Sequence, residues 1–178
     1  IEGAKKREGL TEDDILDIYY RKTANYSFIG PLQLGAVLGG SDGDYLNKLD
    51  VIGKYLGIAY QIQDDLWVVG GKEKVLGKSV QSDITEGKAT LIYHYAYKSA
   101  DKKNRQFLDK YYGDVKITIG QTKVIKSIFI STGAVDYSIN KIKDYLNRAF
   151  KEIDDLSSGS EVKKILVQFA EYLLDRKK

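Results

Sequence analysis

Apolar positions return every three or four residues along most of this chain, and a single proline, Pro31, interrupts them. That period predicts an all-α fold. Thr11 followed by Asp14 reads as a capping box with a short acid, so a helix starts near Glu12 and runs past Lys22. On an ordinary helix Leu16, Tyr19, Thr23 and Tyr26 would share a face, and Pro31 would break or kink it. A second piece covers 32–37 and closes at Gly39-Gly40, with Ser41-Asp42-Gly43 as a loop. Asp44 can cap a long helix from Tyr45 to about Val69. Leu49, Ile52, Tyr55, Leu56, Ala59, Tyr60 and Ile62 spread apolar surface over most of its circumference, which places it at the centre of a bundle. Gly53 and Gly57, four residues apart, leave room for a neighbouring helix to come close.

Gly70-Gly71-Lys72 ends that helix, and 72–87 read as a polar loop. Helices are then predicted over Ala89–Ser99, Lys103–Tyr111, Thr118–Ser131 and Val135–Asp155, the last two separated by Thr132-Gly133. Ser157-Ser158-Gly159-Ser160 is a loop. Ser160 caps a final helix to about Arg176, with Ile165, Leu166, Phe169 and Leu173 as its buried stripe. With no repeat, low-complexity tract or linker, residues 1–178 read as one domain.

Composition narrows the chemistry. Hydrophobic residues make up 43% of the 178, enough for a buried core. The net charge is +3, from 28 basic and 25 acidic residues that are interspersed, so there is no nucleic-acid footprint. The absence of cysteine excludes disulfides and thiolate metal sites, and a lone histidine, His94, excludes a multi-histidine site. His94 lies on a mostly apolar helix and reads as a core or surface residue. No apolar run approaches the roughly 20 residues of a membrane span. The start, Ile1-Glu2-Gly3-Ala4-Lys5-Lys6-Arg7, is charged with no signal-like stretch behind it, so a cytoplasmic location is expected. There is no methionine, even at the first position, as expected of a piece of a longer polypeptide.

The candidate chemistry is concentrated between residues 57 and 91. Gln61, Asp64 and Asp65 stand three and four positions apart, so helical spacing turns Gln61 toward both carboxylates. Two carboxylates suit Mg²⁺, which completes its shell with water and phosphate oxygen. The plainer reading is a solvated acidic surface, although negative charge near a helix C-terminus is mildly unfavourable. Lys78 and Lys88 carry compact charges on flexible stems that suit a diphosphate, although a lysine after glycine in a loop is usually only solvated.

The run Gly57-Ile58-Ala59-Tyr60-Gln61-Ile62-Gln63-Asp64-Asp65 is followed by Leu76-Gly77-Lys78-Ser79. Beyond that comes Ser82-Asp83-Ile84-Thr85-Glu86-Gly87-Lys88-Ala89-Thr90-Leu91. Together they resemble the second aspartate-rich region of the trans-isoprenyl diphosphate synthases. Tyr60 stands for a phenylalanine of that pattern, and Val68 stands where a third aspartate is often found. Upstream, Arg21-Lys22-Thr23-Ala24 and Gly30-Pro31-Leu32-Gln33-Leu34-Gly35-Ala36 resemble the family's Lys-Thr segment. The resemblance runs from about Thr11 to the end of the chain.

It implies an all-α helical bundle of the isoprenoid synthase type, here incomplete: the C-terminal portion of a short-chain, farnesyl/geranylgeranyl-type enzyme. It implies Mg²⁺ on Asp64 and Asp65, with Asp83 reached through water. Lys22, Lys78 and Lys88 would grip an allylic diphosphate, and the oxygens of Thr23 and Gln61 would face the developing cation. The reaction implied is a prenyltransferase condensation of that diphosphate with isopentenyl diphosphate, in an interior lined by Tyr26, Phe28, Tyr60 and Trp67. A homodimer is implied as well. The family's first aspartate-rich motif, its arginines and its isopentenyl-binding Gly-Lys-Arg segment would precede Ile1, so these 178 residues alone are expected to be inactive. Two other readings stay open: a non-catalytic regulatory subunit of a heteromeric prenyl synthase, and a terpene cyclase on the same fold. Asp13-Asp14-Ile15-Leu16-Asp17 spells the aspartate-rich pattern literally, but it sits at a helix start two turns before Lys22, where acids complement the helix dipole.

Overall fold

The computed structural model describes residues 9–41, 43–70 and 82–174. All regular structure among them is helical: α1 (Glu12–Tyr19), a π-helix (Tyr20–Ile29), α2 (Gly30–Leu38), α3 (Gly43–Gly70), α4 (Ser82–Thr85), α5 (Leu91–Ser99), α6 (Lys102–Tyr111), α7 (Ile119–Ser131), α8 (Ala134–Asp154) and α9 (Ser160–Leu174). No described helix is long and apolar enough to cross a membrane. The chain divides into two compact units, one of residues 1–15, 62–140 and 178, the other of 16–61 and 141–177.

In the first unit the helix starts are written in the local sequence. Thr11 and Asp14 form the predicted box: the Thr11 N–H donates to the Asp14 carboxylate at 2.8 Å and the Asp14 N–H to the Thr11 hydroxyl at 3.2 Å. Thr90 caps α5 and Asp101 caps α6, while Thr118 and Gln121 close a second reciprocal box at the start of α7. The core gathers Val68, Ile84, Ile92, Leu108, Tyr112, Ile125 and Phe129. It is unusually aromatic, with Tyr93 stacked on Tyr112 at 4.1 Å and Tyr112 meeting the edge of Phe129 at 6.2 Å.

In the second unit, Leu49, Ile52 and Leu56 of α3 pack with Phe28, Ala149, Ile153, Leu166 and Ala170. Gly53 and Gly57 face the π-helix so closely that backbone meets backbone. A Cβ at Gly57 would stand 2.4 Å from the Ala24 Cα, and one at Gly53 would stand 2.8 Å from Ile29 Cγ1. The small-residue spacing read from the sequence therefore does what it predicts. Lys48 donates to the carbonyl of Asp155 at 2.6 Å and Lys163 to that of Asp154, covering bare carbonyls at the end of α8.

Several expectations need correction. The helix through Lys22 is not α throughout: over Tyr20–Ile29 it widens to the π form. Buried positions then fall at Tyr19, at Thr23-Ala24 and at Phe28-Ile29, between four and five residues apart. The wider turn carries Tyr26 out to 84% exposure among the described residues, off the face predicted for it. Pro31 causes no break. The Gly30 N–H bonds the Asn25 carbonyl, closing the last wide turn, and Pro31 lies in the first turn of α2, where a missing donor costs nothing. α3 begins at Gly43, so Asp44 sits in its first turn rather than at its cap. In α9 the buried stripe is Leu166 and Ala170, while Ile165 and Phe169 are exposed. That rotates the predicted stripe by about one residue, roughly 100° around the helix.

Candidate functional site

The predicted site residues divide between the units, and each unit builds its own part. In the second unit Thr23 stands on the π-helix and Gln61 on α3, 38 positions later. Both are buried, and the Thr23 hydroxyl donates to Gln61 Oε1 at 2.5 Å. The Gly57–Ala24 approach, one turn before Gln61, brings the two backbones near enough for short side chains to meet. Because the Thr23 proton is committed to Gln61, the threonine oxygen keeps its lone pairs for another electron-poor partner. Lys22, the preceding residue, is exposed.

In the first unit Asp64 and Asp65 have different surroundings. Asp64 is exposed and makes no hydrogen bond or ion pair with a described residue, whereas Asp65 is 5% exposed and is not unpartnered. Successive residues on a helix diverge by about 100°, so the two carboxylates do not present as a matched pair. Val68, where the resembled pattern often has a third acid, lies within the same apolar core as Ile84 and Ile92. A carboxylate there would be buried among hydrocarbon, so the donor set stops at two on this helix. Hard oxygen donors in that number are what Mg²⁺ takes when phosphate and water fill its remaining positions, so the residues present fit the ion.

Lys88 follows α4 after the turn Glu86-Gly87. Its ammonium is ion-paired to Asp83, and Glu86 lies 3.4 Å away. Burial is the largest single influence on this lysine and works against its charge. The hydrogen bond and charge of Asp83, with the smaller effect of Glu86, together outweigh it and hold the pKa above the ordinary lysine value. Asp83, expected near a metal through water, is thus the partner of the lysine expected to hold phosphate. Lys78 and its Leu76-Gly77-Lys78-Ser79 segment lie outside the described residues.

Sequence reasoning missed Tyr112 and Gly113. The Tyr112 hydroxyl donates to the Lys88 carbonyl at 2.8 Å, and the Gly113 N–H donates to the Ile84 carbonyl at 2.8 Å. The available signal was a Tyr-Tyr-Gly run ending a helix. The same unit holds a cavity of about 280 Å³ lined by Leu10, Ile15, Ala89, Tyr93, His94 and Tyr97 among others. Burial, and then Lys98, depress the His94 pKa below its usual 6.5, against a smaller upward pull from Glu12.

The literal Asp-Asp-x-x-Asp run is otherwise engaged. Asp14 caps α1, and the hydrogen bonds from Thr11 lower its pKa. Asp17 pairs with Arg21 at 2.7 Å.

The sequence pattern of the family described as Polyprenyl synthetase matches residues 2–129. The chain belongs to that family. The matched stretch includes Lys22, Thr23, Gln61, Asp64, Asp65, Lys78, Asp83 and Lys88. Among relatives, the short chain isoprenyl diphosphate synthase of Methanothermobacter thermautotrophicus is 31% identical over 177 residues, covering 98% of this chain and 52% of its own. The geranylgeranyl diphosphate synthase of Methanosarcina mazei is 31% identical over 170 residues, covering 96% and 50%. Among solved structures, the geranylgeranyl pyrophosphate synthase of Corynebacterium glutamicum, complexed with isoprenyl diphosphate and magnesium, superposes with a TM-score of 0.90 at 26% identity. That match covers 97% of this chain and 49% of the other. The all-helical fold of this chain is therefore that of the prenyl synthases. The chain spans about half the length of the curated relatives it matches.

Proposed function

We propose that this chain is the C-terminal portion of a prenyltransferase that condenses an allylic diphosphate with isopentenyl diphosphate and releases pyrophosphate. The observation that carries the reading is the buried Thr23–Gln61 contact. The resemblance assigns a shared electrostatic role to those two oxygens, 38 residues apart, and the fold joins them.

Each residue has a role in this proposal. Lys22, Lys78 and Lys88 hold the diphosphate of the allylic substrate and take up its charge as it leaves. Asp64 and Asp65, with Asp83 through water, would hold Mg²⁺, which would supply positive charge to neutralise the leaving group. The Thr23 and Gln61 oxygens present fixed lone pairs to the positive carbon left behind, with no reorganisation needed at the moment of reaction. The double bond of isopentenyl diphosphate attacks that carbon. One carbon–carbon bond forms, and a proton passes to the departing pyrophosphate to restore the alkene. Phe28, buried against Tyr60 at 5.5 Å, supplies hydrocarbon that excludes water. The resemblance further supports a cytoplasmic homodimer. Since the relatives are about twice as long, the 178 residues by themselves are proposed to be inactive.

The test supplies labelled isopentenyl diphosphate, an allylic diphosphate and Mg²⁺ to the protein at its natural length. A labelled, longer prenyl diphosphate is expected. Lys88→Ala should lower turnover by about 10- to 100-fold, the worth of a charged hydrogen bond. Product formed without isopentenyl diphosphate would identify a cyclase instead. Undiminished activity of a complex carrying Asp64→Ala would identify a regulatory subunit.

A further inference from the structure

Lys88 lies in an irregular stretch between α4 and the Thr90 cap of α5, just after Gly87, whose φ of 62° only glycine adopts readily. A loop of this kind is a poor mount for a group that must meet a diphosphate. Here, however, both backbone polar groups of Lys88 are held. Its N–H donates to the Asp83 carbonyl at 3.1 Å, and its carbonyl accepts the Tyr112 hydroxyl at 2.8 Å. The second bond comes from outside the loop, from a ring that is itself fixed. Tyr112 is buried, stacks on Tyr93 at 4.1 Å and meets Phe129 at 6.2 Å. Gly113, the next residue, donates to the Ile84 carbonyl, so the end of α6 grips the α4–α5 connection at two points.

We propose that Tyr112 is a positioning residue that holds the root of Lys88 while its ammonium exchanges Asp83 for a phosphate oxygen. The ammonium is paired with Asp83 here, so binding an anion requires it to leave that carboxylate. A flexible stem on a fixed root can make that move. If the Lys88 carbonyl were free, the loop would move with its side chain, and binding would carry the added cost of ordering it. The inference rests on the diphosphate-binding role proposed above for Lys88.

Tyr112→Phe removes the hydroxyl and keeps the ring, so packing on Tyr93 and Phe129 survives. Inorganic pyrophosphate with Mg²⁺ is titrated calorimetrically into four forms of the protein: unaltered, Tyr112→Phe, Lys88→Ala, and the two combined. Tyr112→Phe is expected to weaken binding about fivefold, one neutral hydrogen bond's worth, with an unchanged circular dichroism spectrum. In the Lys88→Ala background the same change should have no further effect. Equal weakening in both backgrounds would mean a merely structural role and would overturn the proposal. So would unaltered affinity in Tyr112→Phe where Lys88→Ala binds weakly. If Lys88→Ala itself binds as tightly as the unaltered protein, the diphosphate role of Lys88 falls, and the positioning role of Tyr112 falls with it.

Discussion

The two units fix their functional side chains by opposite means. Where Thr23 and Gln61 stand, the carriers are long helices, and precision comes from side chains that are missing: Gly53 and Gly57 admit the π-helix backbone to within a contact that a single methyl group would block. Where Lys88 stands, the carrier is a short irregular segment, and precision comes from side chains that are large. Tyr112, clamped by Tyr93 and Phe129, reaches across to hold the loop. Removing volume should therefore damage one unit, and adding it should damage the other.

Phe129→Ala puts the largest strain on that contrast. Deleting a fully buried phenyl ring should cost about 4 kcal/mol. Amide exchange resolved by segment should show the loss in 82–131, and persistent protection there would contradict the aromatic clamp. Gly57→Ala follows. Alanine is the better helix former by about 1 kcal/mol, yet the new methyl collides with the Ala24 backbone, and overpacking should leave a net loss of about 2 kcal/mol. A neutral or stabilising result in urea denaturation would disprove the close approach. Thr23→Val keeps the shape and removes the donor from Gln61, for about 1–2 kcal/mol and a matching fall in the urea midpoint.

The smallest effect concerns pH. His94 is held below its usual pKa of 6.5 in the folded protein, so the unfolded chain binds a proton that the folded chain refuses. Stability should be fully present above about pH 6.5 and should decline as the pH falls toward the depressed folded value. Urea midpoints between about pH 7.5 and about pH 5.5 should show the slope, and His94→Gln should flatten it.

Much of the first unit was legible because its helix starts are local chemistry: Thr11 with Asp14, and helix starts near Thr90, Lys102 and Thr118, are set by residues a few positions apart. The Gly53–Gly57 spacing was legible for the same reason. The exposed Tyr26 was not, since nothing in the composition of 20–29 announces a wider turn, and α periodicity applied across it gives the wrong face. The inequality of Asp64 and Asp65 was hidden because adjacent residues on a helix can only be told apart by what packs on them. Tyr112 escaped notice because its partner lies 24 residues away: the Tyr-Tyr-Gly run marks a helix end but does not name the carbonyl that the hydroxyl reaches.

The π-helix has a consequence for how this segment can change. Its extra residue per turn means that the chemical addresses of Thr23 and Phe28 depend on the hydrogen-bond register between them, not only on which amino acids occupy the positions. Deleting one of the outward-facing Asn25, Tyr26 or Ser27 would let the coil tighten to the commoner form, whose shorter period would return Phe28 and Ile29 to nearly the same face as Thr23 and Ala24. A gain or loss of one residue here would thus change the outward surface while leaving every buried side chain on its own face.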